Sequence, residues 1–155
     1  MGNAAAYQSA SSSQTLREGL VEYEQLNPNL NDARVATPEG ADFFHCHDAA
    51  HVVFGCDTSL LNEAMADAWT LFGTTITLKS FFGFMKIEEH QEILDKLGWF
   101  AVIRTFIRSV PLILRIIYRS MKMNKAWPWD DYPTYLDVPL RDIRDEFGIR
   151  PLIVR

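Results

Sequence analysis

Disulfide-forming capacity is scarce in this sequence, which holds two cysteines, Cys46 and Cys56. Nothing near its start pairs a basic flank with an apolar run, so no secretory route is expected and both thiols should stay reduced. Arginine is absent before Arg17, where an organellar presequence would carry it, and a mitochondrial address is therefore disfavoured. The opening Met-Gly lacks the hydroxyl residue that a myristoylation signal wants at position 6, where Ala6 stands. Alternating β-branched runs between hairpin turn signals are missing, which excludes sheet architectures. Basic charge is in deficit as well: 15 basic against 20 acidic residues give a net charge of -5, and a general nucleic-acid binder is thereby excluded. Repeats and domain linkers are not visible either.

Helical periodicity fills the remainder, and the length suits one core. The expectation is an all-α single-domain helical bundle over residues 15–155, preceded by a disordered or frayed Ala/Ser-rich tail, "MGNAAAYQSASSSQ", over residues 1–14. Thr15 and Glu18 have capping-box spacing and open a first helix with Leu16, Leu20 and Tyr23 on one face, stopped by Asn27-Pro28. Thr37-Pro38-Glu39 opens a second, running to about Phe54 with Gly55 as its stop. A third starts among Asp57, Thr58 and Ser59 and carries Leu60, Leu61, Ala64, Ala68 and Leu71, with breaks or bends expected at Gly73 and Gly83. "IEEHQEILDKLG" reads as a fourth, residues 99 to about 123 as a long fifth kinked at Pro111, and "VPLRDIRDEFG" as a last short helix with Leu140, Ile143 and Phe147 inward.

Three of the four histidines fall in "HCHDAAHVVFGCDTSLLNE", residues 45–63. His47 and His51 are four apart, so on a helix they share a face and can converge on one ion. Asp48, rotated by about 60° from His51 on the helical wheel, can reach the same ion or support it from behind. Glu63 would lie about 18 Å from His51 along an unbroken helix. A reversal around Gly55 to Thr58 instead sets the two at one level of an antiparallel helix pair, which packs closely enough for their side chains to meet. Two imidazoles with one or two carboxylates suit Zn²⁺ best, and with water also Fe²⁺ or Mn²⁺. His45 points about 160° away from His51 and should face solvent; the cysteines read as buried small hydrophobes. An H-E-x-x-H peptidase is excluded, because Asp48 holds the slot of the glutamate base with a shorter reach.

The pattern H-D-x-x-H-x11-E, here His47, Asp48, His51 and Glu63 with Val52 to Asn62 between the last two, resembles the signature of the ubiquinone-biosynthesis family called the fourth coenzyme Q protein. "HVVFG" after the motif, "NPNLNDAR" before it and "PLRDIRDEFGIRP" near the end extend the likeness. The resemblance implies a metal-dependent protein on a membrane surface, acting on a prenylated quinone precursor or another isoprenoid lipid. Two roles follow from it: oxidative decarboxylation at the ring's C1 carbon, a lyase-type activity, or organising other quinone-biosynthesis proteins. Phe43, Phe44, Ala49 and Ala50 depart from the Arg/Tyr-rich approach and bulky aromatics usual in that family.

In "WFAVIRTFIRSVPLILRIIYRSMKM", Arg104, Arg108, Arg115, Arg119 and Lys122 fall within about 60° of one another on a helical wheel. Nearly every other position is apolar, so the helix can fill a core, line a cavity for a prenyl tail, or lie in a bilayer surface with its cations toward anionic headgroups. Five charges exclude an ordinary transmembrane span. The expected location is peripheral, on the cytoplasmic face of a bacterial-type membrane, and a homodimer is compatible with it. Trp127, Trp129, Tyr132 and Tyr135 suit either a headgroup boundary or a loop packed over the core.

Overall fold

Helix α1, Leu16–Leu26, begins where the sequence places it. The Thr15 hydroxyl accepts the Glu18 N–H at 3.2 Å while the Glu18 carboxylate accepts the Thr15 N–H at 2.8 Å, so two orphan donors are satisfied reciprocally. Gly19 faces α2, Pro38–Phe54. A Cβ on Gly19 would come within 2.7 Å of Val52 Cγ1, so the close approach of the two helices depends on that missing side chain.

The computed structural model describes residues 4–28, 38–84 and 99–153. Its further helices are α3, Leu60–Gly73, α4, Leu78–Phe84, α5, Trp99–Ser120, and α6, Leu140–Phe147. Only two isolated bridges, Thr15 with Pro139 and Thr74 with Trp127, form in place of strands among the described residues. The architecture is an all-α bundle.

Helix α3 lies between α2 on one side and α5 on the other. Its buried positions are therefore Asn62, Met65, Ala66, Ala68, Trp69, Thr70 and Gly73; of the stripe read from periodicity, Leu60, Leu61, Ala64, Ala68 and Leu71, only Ala68 is among them and the others are half-buried. Phe54 of α2 stacks on Trp69 at 4.6 Å between ring centroids, which anchors that interface. Gly73 ends α3 as expected, and Gly83 is the last but one described residue of α4. Helix α5 continues through Pro111. The expected helix over "IEEHQEILDKLG", residues 87–98, lies outside the described residues.

The expected frayed tail is a correction. Between Ala4 and Gln14 the chain is anchored by three side chains: Tyr7 is 1% exposed, and Gln8 and Ser12 are buried. Composition hid this, because one aromatic side chain anchors an otherwise Ala/Ser-rich strip. The Tyr7 hydroxyl donates to the Cys56 carbonyl at 3.1 Å, and the Glu22 carboxylate accepts the N–H groups of Ala6 and Tyr7 at 2.8 and 3.0 Å. The aromatic loop is resolved in favour of the core. Trp127 and Trp129 are buried, and the Trp127 backbone N–H donates to the Gly73 carbonyl at 2.8 Å, fastening the loop to the end of α3.

Arg144 of α6 locks these parts together. Its Nε donates to the Val53 carbonyl at 2.8 Å, Nη2 donates to those of Val52 and Tyr7 at 2.9 and 2.7 Å, and Nη1 donates to that of Ser9. Carbonyls near a helix C-terminus carry partial negative charge and favour a cation. Burial of the side chain pulls the guanidinium down to about 10, so it stays charged at neutral pH. Replacement of Arg144 by Met should strand buried acceptors and cost roughly 3 kcal/mol of stability. Urea unfolding measures it, and a loss below about 1 kcal/mol would contradict the role assigned to this side chain.

Candidate metal centre

His47 and His51 sit one turn apart on α2, with ring centroids 4.7 Å from each other. Phe43, one turn earlier, stacks on His47 at 6.0 Å, and Tyr23 of α1 lies 5.3 Å from the His51 ring. The chain then reverses. Gly55 adopts a φ of 75°, a left-handed conformation open to glycine at little cost, and the Cys56 N–H donates back to the His51 carbonyl at 2.8 Å. Ser59 is the N-cap of α3, and its own N–H donates to the Asp57 carboxylate at 2.8 Å.

This reversal brings Glu63 to His51. Nε2 of His51 lies 3.4 Å from Glu63 Oε2. The atoms that His47, His51 and Glu63 can offer a metal all lie within 4.8 Å of one another, so the three can hold one ion. The set of two imidazoles and a carboxylate fits a divalent transition metal.

The tautomer of His51 is fixed by its surroundings. Nδ1 lies 3.4 Å from the Cys56 carbonyl oxygen, which can only accept, so Nδ1 carries the proton in the neutral ring and Nε2 presents its lone pair toward α3. The His51 ring is fully buried, and no hydrogen bond of good geometry satisfies Nε2. A lone pair facing a carboxylate needs a cation between them, either a proton or a metal. The titration of His51 agrees: burial penalises the imidazolium most, yet Glu63, the charge of Asp48 and the Cys56 carbonyl together outweigh it and raise the pKa.

Asp48 stands elsewhere. It is 5% exposed and lies outside the group of three, and its charge acts on both His51 and Tyr132. His45 is exposed. Cys46 and Cys56 are buried free thiols. Burial, with the charges of Asp130 and Asp42, pushes Cys46 up to about 11, and burial raises Cys56 further, so both remain thiols at neutral pH.

Sequence reading missed Asp67. Its Oδ1 lies 3.5 Å from His47 Nε2. The signal was available: Asp67 follows Glu63 by four as His51 follows His47 by four, and in an antiparallel pair the second carboxylate must face the first histidine. The centre is closed on the α2 side and open on the other, because the Glu63 and Asp67 side chains are 37% and 33% exposed.

The cationic stripe lies on α5, away from these residues in the sequence. Arg104, Arg108, Arg115 and Lys122 are exposed. Arg119 is committed elsewhere, donating to the carbonyls of Arg150 and Pro151 at 2.7 and 2.6 Å, and Lys122 stands 5.7 Å from the centroid of the Tyr118 ring. No helix among the described residues is long and apolar enough to cross a membrane.

The raised pKa of His51 makes a pH signature of the metal-free protein. The folded chain favours the imidazolium, so this contribution to stability is complete below the ordinary value near 6.5 and is lost as pH rises through the higher folded value. Metal-free protein should therefore lose more thermal stability between about pH 6 and pH 8.5 than Glu63→Gln, which lacks the partner. Superimposable melting profiles for the two would refute the coupling. Compared with protein-family models, with curated proteins and with solved structures, the chain matches none of them.

Proposed function

We propose that this chain binds one divalent ion, zinc in the first instance and iron or manganese as the other candidates, and acts in prenyl-quinone biosynthesis at a membrane surface. The observation that carries the metal reading is the convergence of His47, His51 and Glu63 across the α2–α3 reversal, in the spacing that resembles the fourth coenzyme Q protein family. The substrate class rests on that resemblance: a prenylated quinone precursor, with oxidative decarboxylation at C1 as the reaction.

The arrangement suits access by a ligand. Imidazoles supplied from a buried helix are held rigidly by Phe43, Tyr23 and the Cys56 carbonyl, while the carboxylate side opens to solvent. A bound divalent ion supplies Lewis acidity toward a carboxylate or phenolate oxygen on the ring. Asp48, buried beside the centre, holds negative charge against His51 and keeps that ring a strong donor.

Helix α5 supports the membrane part of the reading, for it has three sides rather than two. Ser109, Ile116 and, half-buried, Leu112 and Ile113 turn to the core. Arg104, Arg108 and Arg115, continued by Lys122 in the turn after the helix, form the cationic side. Ile107, Val110, Leu114 and Tyr118 form a third, apolar and 41% to 65% exposed. An apolar strip beside a cationic one is the pattern of a helix lying in a lipid interface, with cations at headgroup level. The second reading, a non-catalytic prenyl-lipid-binding or scaffold protein with a structural ion, requires a metal site that leaves no position for substrate.

Metal analysis of purified protein beside His51→Ala and Glu63→Ala tests the centre: wild type should carry the ion and both variants lose it. Equal metal content in all three would sink it. Prenyl lipid extracted from the same preparations tests the substrate class, and its absence, together with failure to bind added prenylated quinone precursor, would remove that part. Flotation with anionic vesicles tests α5, where Ile107→Asp combined with Leu114→Asp should abolish the vesicle-bound fraction and leave metal content unchanged.

A further inference from the structure

We infer that Asp67 is a fourth protein ligand of the metal centre, facing His47 as Glu63 faces His51. The inference rests on the metal reading above and adds a residue that the H-D-x-x-H-x11-E pattern does not contain.

The separations argue for it. A charge-assisted hydrogen bond between an imidazole and a carboxylate is about 2.7–2.9 Å long. Two donors that share one ion at bonds of about 2.0–2.1 Å in a tetrahedral arrangement stand about 3.3–3.4 Å apart instead. His51 Nε2 and Glu63 Oε2 are 3.4 Å apart, and His47 Nε2 and Asp67 Oδ1 are 3.5 Å apart. Both pairs thus stand near the spacing of neighbouring ligands, with the Asp67 carboxylate beside His47 but outside the 4.8 Å grouping that His47, His51 and Glu63 form. The fully buried His51 Nε2, without a well-formed hydrogen bond, is an independent sign that the space between the helices is built for a cation.

The backbone repeats the same relation twice. His47 and His51 are one turn apart on α2, and Glu63 and Asp67 are one turn apart on α3. Antiparallel packing pairs the inner members, His51 with Glu63, and the outer members, His47 with Asp67. Asp48 is the rival carboxylate. It is buried at 5% with contacts of its own, whereas the Asp67 side chain is one-third exposed and can swing its carboxylate inward by a change of χ1. Two carboxylates also balance the charge of a divalent ion, which three neutral or singly charged donors would not.

Cobalt(II) titration of the full-length chain reports both affinity and ligand field, so it separates the two claims. Wild type should bind cobalt with the strong visible bands of a low-coordinate site. Asp67→Asn, isosteric and partly exposed, should weaken binding about tenfold or more and shift those bands, whereas Asp48→Asn, which removes a charge near His51 but no ligand, should shift them less. Circular dichroism and melting of the metal-free variants verify the fold, and Asp67→Glu, which keeps the carboxylate, should restore most of the affinity. Wild-type affinity and bands in Asp67→Asn would overturn the assignment. Weaker binding with unchanged bands would overturn it too, by making Asp67 a positioning partner of His47. If wild type took up no cobalt, the metal reading itself would fail, a result distinct from both.

Discussion

A single buried cation organises this molecule. The Arg144 guanidinium reaches from α6 to Val52 and Val53 in the last turn of α2 and to Tyr7 and Ser9 near the start of the chain. Carbonyl groups at a helix end point outward and need donors when water is excluded. Five N–H groups in one planar fork meet that need as no shorter or more flexible side chain could. The helix that supplies both histidines therefore ends against a fixed charge. Everything downstream of that end, the turn at Gly55 and the entry into α3, inherits its position from it.

Much of this was legible in the sequence. The capping box at Thr15, the stop at Gly55 and the inward set of Leu140, Ile143 and Phe147 were all readable, because each follows from local chemistry or a short period. The reversal at Gly55 to Thr58 also predicted that Glu63 would meet His51, since one stop signal and one cap signal fix the register of the pair. What escaped was set by tertiary contact. The strip from Ala4 to Gln14 has no periodicity to betray its order, yet one tyrosine and a distant arginine hold it. Asp67 escaped for a different reason: the reading stopped at the last residue of a known pattern and did not carry the helical ladder one turn further.

Helix α5 illustrates the limit of wheel arguments. The sequence separates apolar from cationic positions correctly, but it cannot say which apolar positions a core will claim. Packing against α3 uses one arc, around Ser109 and Ile116, and leaves the other, around Ile107 and Leu114, in the open. The cations flank the uncovered arc. Arg119, which shares their wheel position, is withdrawn by two backbone carbonyls near the C-terminal end of the described chain.

The carbonyl of Cys56 has a wider consequence. One oxygen accepts the Tyr7 hydroxyl at 3.1 Å and stands 3.4 Å from His51 Nδ1, so its two lone pairs are shared between the amino-terminal turn and the imidazole. The amino-terminal turn around Tyr7 is thus an electronic neighbour of the candidate metal centre. A donor held on that oxygen competes for its electron density, and its loss would let the oxygen polarise His51 more strongly, making Nε2 more basic. The basicity of a candidate ligand is set in part by a residue forty-four positions upstream.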